Sequence, residues 1–222
     1  IFDIAGGKEP VLTGSFGVNG GVYAGPEPGA KDDPLKFNGI TGVGTDAEGN
    51  IYVSCDGFPG SESEGGGADL RAFNPDGSLR WRMVGLMFVR AANIDPLGGG
   101  KDIYCPFTHY RVDYSKEPDH NMTDWTDVAL TIDPFRYPDD PRLVGATNTV
   151  LAIVNVNGNK YMYSTDMYNE PLYIHRFEGQ IAVPVAVITM GYGWNGDEFR
   201  KFYWKHNRGR PSTPRWMWVD QN

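Results

Sequence analysis

Four histidines, His109, His120, His175 and His206, are the side chains best suited to metal ligation or proton transfer near neutral pH. None falls in an H-x-H or H-E-x-x-H spacing, so a metal centre would have to be assembled from separate elements. His109 follows Cys105-Pro106-Phe107-Thr108 and stands where a loop begins, which makes it the candidate general base or metal ligand. A hydrogen-bonded loop histidine is the alternative. The stretch from Asp113 to Asp127 adds Asp113, Glu117, Asp119, His120, Asp124 and Asp127, and oxygen donors in such number suit a hard cation. His109, Asp113, Asp119 and His120 are therefore the candidate ligands of one divalent ion, calcium or zinc. The stretch lacks the glycine and terminal glutamate of an EF-hand loop, and a solvated acidic loop is the competing reading. His175 alternates with Tyr173 and Phe177, a strand pattern that places it at the surface or between sheets.

A second kind of chemistry gathers near the end of the chain. Trp194, Trp204, Trp216 and Trp218, four of the six tryptophans, lie there with Arg200, Lys201, Lys205, Arg208, Arg210 and Arg215. Flat rings stack on sugar faces and guanidinium groups pair with uronate or sulfate. The four tryptophans with Arg208 and Arg210 are the ligand-binding candidates, and structural packing of the same rings is the alternative. Asn121-Met122-Thr123 is a glycosylation sequon, relevant only in a eukaryotic secretory setting.

Other chemistries are excluded. No G-x-S-x-G, P-loop or complete dinucleotide fingerprint occurs, and the glycine-rich stretches 17–25 and 65–67 lack the helix that a phosphate cradle requires. A net charge of -8 repels phosphate backbones and argues against nucleic acid as a partner. No window approaches the roughly 18 apolar residues of a membrane-spanning helix, the richest being Ile181 to Gly191. Two cysteines without a C-x-x-C spacing do not make a zinc site. Cys55 and Cys105 each end a short apolar run, so they are either a disulfide pair or two buried free thiols.

The elements that must position these residues are strands. Glycine (29) and proline (16) make up about a fifth of 222 residues, which disfavours long helices and fits many turns. Residues 40–53 read as strand, turn (Asp46 to Asn50) and strand; Leu70 to Phe73, the turn Asn74-Pro75-Asp76-Gly77 and Ser78 to Trp81 make a second pair. The pattern returns from Val89, with Ala91 to Pro96, Asp102 to Cys105 and Asp127 to Ile132, and again from Thr149, with Val150 to Val154, Tyr161 to Tyr163, Leu172 to Phe177 and Gln180 to Val183. Intervals of roughly 50 to 57 residues fit four-stranded blades that bury their faces by stacking on one another. The chain starts at Ile1 and ends at Asp220-Gln221-Asn222 without finished caps, and is expected to be a piece of something longer.

The segment Pro34-Leu35-Lys36-Phe37-Asn38-Gly39-Ile40-Thr41-Gly42-Val43, continued by Asp46-Ala47-Glu48-Gly49-Asn50-Ile51-Tyr52-Val53, resembles the phrase that opens each blade of NHL-type β-propellers. Ile40-Thr41 stands where that family usually has a proline. The similarity is good over 34–81 and weak over 89–183. It implies an all-β fold, a β-propeller or partial propeller of about four to five four-stranded blades, either a ring in itself or an incomplete piece of a larger one. The approximate blades are 37–86, 87–143 and 144–190, with 1–36 and 191–222 as partial blades or flanking segments. Ala72 to Trp81 is similar to the tryptophan docking phrase of quinoprotein alcohol dehydrogenases; Trp81 is read as packing between blades.

The resemblance implies a fold and not an activity, because NHL-like propellers bind proteins or RNA and also act as lactonases and lyases. The expectation is an exported module, extracellular or periplasmic, that binds a ligand or partner such as polysaccharide, with further blades or domains of its parent protein as neighbours. The alternative is a metal-dependent lactonase or polysaccharide lyase in which His109 and nearby carboxylates serve an axial site.

Overall fold

A computed structural model describes residues 1–3, 9–55, 69–84, 92–117, 124–138, 140–143, 149–165, 172–189 and 216–219. Among these the regular structure is almost entirely strand, with 3₁₀ turns at Gly21–Tyr23 and Pro141–Leu143. A two-residue pair, β1 (Phe2–Asp3) and β2 (Val11–Leu12), precedes three antiparallel meanders. The first contains β3 (Ile40–Thr45), β4 (Ile51–Cys55), β5 (Asp69–Phe73) and β6 (Leu79–Val84). The second contains β7 (Asn93–Ile94), β8 (Asp102–Tyr104), β9 (Thr108–Val112) and β10 (Trp125–Leu130). The third contains β11 (Thr149–Val156), β12 (Asn159–Thr165), β13 (Leu172–Glu178), β14 (Ile181–Thr189) and β15 (Trp216–Val219).

Strands pair in chain order within each sheet, so each is built from hairpins. The turns explain why. Asp46 accepts hydrogen bonds from the backbone N–H groups of Glu48 and Asn50 at 3.1 and 2.9 Å, while Gly49 takes φ 81° and lets the chain reverse. At the β5–β6 turn, Asp76 receives the N–H of Ser78 at 2.9 Å. β15 comes from 191–222, the stretch expected to be a partial blade or flanking segment. It pairs with β14, Trp218 opposite Val187, and widens the third sheet to five strands.

Cross-strand partners share a face, so the registers sort each sheet into two sides. In the first, Val53, Arg71 and Arg82 lie in one row and Tyr52, Ala72 and Trp81 in the next, opposite row. The first row's side is covered: Val53, Cys55 and Phe73 pack with Phe37, and Phe16 and Leu35 close over them. Burying a ring such as Phe73 contributes about 1.5–3 kcal/mol. The other side stays open, with Trp81 42% and Met83 61% exposed and Trp81 resting on Tyr52.

The second sheet uses both of its sides. Tyr110 and Asp127, partners across β9 and β10, face the first sheet, where Asp127 meets Arg82 at 3.0 Å. Tyr104 and His109, partners across β8 and β9, face the third sheet. There Tyr104 joins the buried cluster Val150, Ile153, Met162 and Ala182. The first strands of the second and third sheets are neighbours, Asn93 of β7 donating to the Leu151 carbonyl of β11 at 2.9 Å. The segment 16–38 runs between the first two sheets. Its Gly29–Lys31 stretch lies along β10, with the Leu130 N–H bonded to the Gly29 carbonyl and the Lys31 N–H to that of Val128, both at 2.9 Å.

Candidate functional site

His109 lies inside β9 and not at a loop. The connection Pro106–Phe107 is so short that the chain reverses at once, the Cys105 N–H bonding the Thr108 carbonyl at 2.9 Å. The ring is 2% exposed and stacks on Tyr104 at 4.4 Å. Its Nε2 stands 2.7 Å from Asp102 and its Nδ1 3.1 Å from Gln180, so both nitrogens are engaged. Burial would raise the Asp102 carboxyl, but hydrogen bonds from His109 and Arg111 outweigh it and hold the group below its ordinary range. Beside it, Lys160 reaches the Tyr104 hydroxyl at 3.0 Å and Asp95 at 2.6 Å. This polar cluster ties the second sheet to the third.

The acidic candidates are not brought to His109. Asp113 sits in an exposed turn where it accepts the Ser115 hydroxyl at 2.6 Å and lies 3.7 Å from Lys116. Asp127 points between sheets and takes Lys31 at 2.6 Å. Asp119, His120 and the sequon lie outside the described residues. Among the described residues no group of three or more His, Cys, Asp or Glu is placed to hold a metal ion. Cys55 and Cys105 are both buried and free, one in the core of the first sheet and one just after β8.

His175 is fully buried between elements, its Nε2 3.4 Å from Asp140. Asp140 in turn holds Arg142 at 2.6 Å. Burial and the nearby Arg142 cation lower His175 to about 4, against the pull of Asp140. The spacing Asp140-Pro141-Arg142 repeats that of Asp69-Leu70-Arg71, whose carboxylate and guanidinium also meet at 2.6 Å in the interior. Arg71 donates to the carbonyls of Pro34 and Lys36 at 2.7 and 2.8 Å, binding segment 16–38 to the first sheet. These arginines were missed in the sequence reading, and the recurring D-x-R spacing was the available signal.

Of the aromatic and basic candidates, Trp216 and Trp218 fall within β15, and Trp194, Trp204, Arg208 and Arg210 lie outside the described residues.

A concave site is formed elsewhere. A cleft of about 900 Å³ opens between the stretch 15–23, the entry to β3 and the turn after β10. Its aromatic and apolar walls are Phe16, Tyr23, Phe37, Ile40 and Phe135. The glycine-rich stretch is pressed against the chain at Phe37: Gly21 has φ 55°, and a Cβ there would stand 2.1 Å from the Phe37 carbonyl oxygen. Gly21 carries no side chain to hold the two stretches apart there, and residues 15–21 line this side of the cleft. Phe135 is 75% exposed on a turn capped by Asp133, which accepts the N–H groups of Phe135 and Arg136 at 3.1 and 3.0 Å. The Phe135 ring meets Tyr23 edge to face at 5.7 Å, and the Tyr23 hydroxyl is anchored on the Ile132 carbonyl at 2.8 Å.

No protein-family model matches the chain, and no curated protein matches it.

Proposed function

We propose that the chain is a run of consecutive blades of a β-propeller and that it serves as a binding module. The observation that carries this reading is the order of stacking. Each meander offers one side to the next, the second sheet is covered on both sides, and the first strands β7 and β11 lie beside each other. Sheets that share an inner edge and fan outward are how blades bury apolar area that none can bury alone. The exposed side of the first sheet, with Tyr52, Leu70, Trp81 and Met83, is then the seat of a further blade. The NHL-like phrase at 34–53 agrees with β3 and β4 as the opening strands of a blade.

The binding role rests on what the junctions contain. Charged side chains between sheets are paired with one another, as in His109 with Asp102 and Arg142 with Asp140, and act in cohesion. An experimental structure by crystallography or cryo-microscopy tests the architecture. The expected result is β3, β7 and β11 lining one axis with successive sheets rotated about it. Sheets laid as flat parallel layers without a common axis would refute it.

A further inference from the structure

We infer that the cleft between residues 15–23, the entry to β3 and Phe135 is a binding site for a neutral saccharide. The inference deepens the binding-module reading and rests on it. The volume, about 900 Å³, is within the range of small-ligand sites and accommodates several sugar units.

The chemistry of the lining selects the ligand class. Among the described residues none of the lining side chains carries a charge, in a chain whose net charge is -8. A charged ligand entering this cleft would lose hydration without finding a counter-ion, which is costly. The apolar surface is aromatic and part of it is flat and presented to solvent: Phe135 is 75% exposed, yet fixed against Tyr23 by the edge-to-face contact at 5.7 Å. A pyranose ring offers such a surface its C–H face. A ligand that was only hydrocarbon would leave the rest of the lining unused, because the exposed Ser15 and Asn19 add a hydroxyl and an amide. Those neutral donors and acceptors match ring hydroxyls. Among the described residues neither a carboxylate nor an imidazole lines the cleft, so binding is the role proposed for it.

The site differs from the basic, tryptophan-rich stretch after 190, whose chemistry suits acidic glycans, and one experiment separates the two. Calorimetric titration of the chain with cellohexaose, maltohexaose, chitohexaose and hexagalacturonate is run on the unaltered protein and on Phe135→Ala, Ile40→Asp and Arg208→Glu. Phe135 and Ile40 are both exposed, so neither change removes a core residue; circular dichroism checks that folding is retained. The expected result is binding of at least one neutral hexasaccharide, weakened about tenfold or more by Phe135→Ala and by Ile40→Asp. Arg208→Glu leaves it unchanged. Absence of neutral-sugar binding at roughly 10 mM overturns the inference, as does binding indifferent to both cleft variants, or displacement of the sugar by decanoate at lower concentration. Hexagalacturonate binding that is lost in Arg208→Glu and untouched by the cleft variants, with no neutral sugar bound, removes the cleft assignment while leaving the module reading in place.

Discussion

Arg142 Nη2 lies 2.6 Å from Asp140 Oδ2 with both side chains almost wholly buried, and the same guanidinium donates to the carbonyls of Pro106, Thr131 and Ala182 at 2.8, 3.2 and 2.8 Å. Those oxygens belong to the β8–β9 connection, the residue after β10, and β14, so one cation joins the second sheet to the third. Arg142→Met strands a buried carboxylate, and the expected cost is about 3–5 kcal/mol by urea denaturation. Pairing it with Asp140→Leu removes the stranded charge and should recover part of that loss. A double variant as unstable as the sum of the two singles would contradict the assignment.

The same cluster makes stability depend on pH. Burial, aided by Arg142, lowers His175 to about 4 from an ordinary 6.5, so between these values the unfolded chain binds the proton and the folded chain does not. Stability from this group is complete above about 6.5 and declines as pH falls towards 4. Asp140 acts in the same direction lower down: burial would raise its carboxyl, Arg142 and His175 outweigh that and hold it well below the usual range, and its contribution disappears only in strong acid. Thermal melts of His175→Leu should show a flatter profile between pH 4 and 6.5 than the unaltered chain. An unchanged slope would show that His175 is not the titrating group.

Burial pushes the Cys105 thiol up to about 11 and raises that of Cys55 as well. Neither thiol is therefore a ready nucleophile at neutral pH. A disulfide-exchange reagent should label neither in the native protein and both after unfolding in denaturant without reductant. A labelling count of zero in denaturant would reveal a bridge between them.

The two sides of the first sheet should respond differently to substitution. Phe73 is wholly buried against Phe16 and Phe37, with ring centroids at 5.1 and 5.9 Å, and Phe73→Ala should cost about 3–5 kcal/mol. Trp81 on the opposite side is 42% exposed. Trp81→Lys should change the stability of this chain by less than about 1 kcal/mol. Equal losses in denaturant melts would mean that the open side is already packed.

Strand pairs with a self-sufficient turn were legible. At Asp46 to Asn50 the carboxylate that caps the turn and the glycine that reverses it are local, so five residues carry the whole signal. His109 was harder, because Pro106 looks like the start of a loop while the chain in fact returns as β9 within two residues. What the alternation could not show is which polar residue turns inward. Asp127 reads as one more acid in an acidic stretch, and only the approach of Lys31 and Arg82 from distant positions makes it a junction residue. The cleft was illegible for the same reason: its walls come from residues 15–40 and from Phe135, and the glycines at 17, 20 and 21 seemed notable only as a failed phosphate cradle.

The uncovered side of the first sheet, rich in Trp81 and Met83, is unlike the outward row of the third, where Tyr161, Tyr163 and Ile174 are only partly exposed. Contact of one such surface with the other on a second copy is head to tail, and it yields a closed circle of copies when the angle permits and an open thread when it does not.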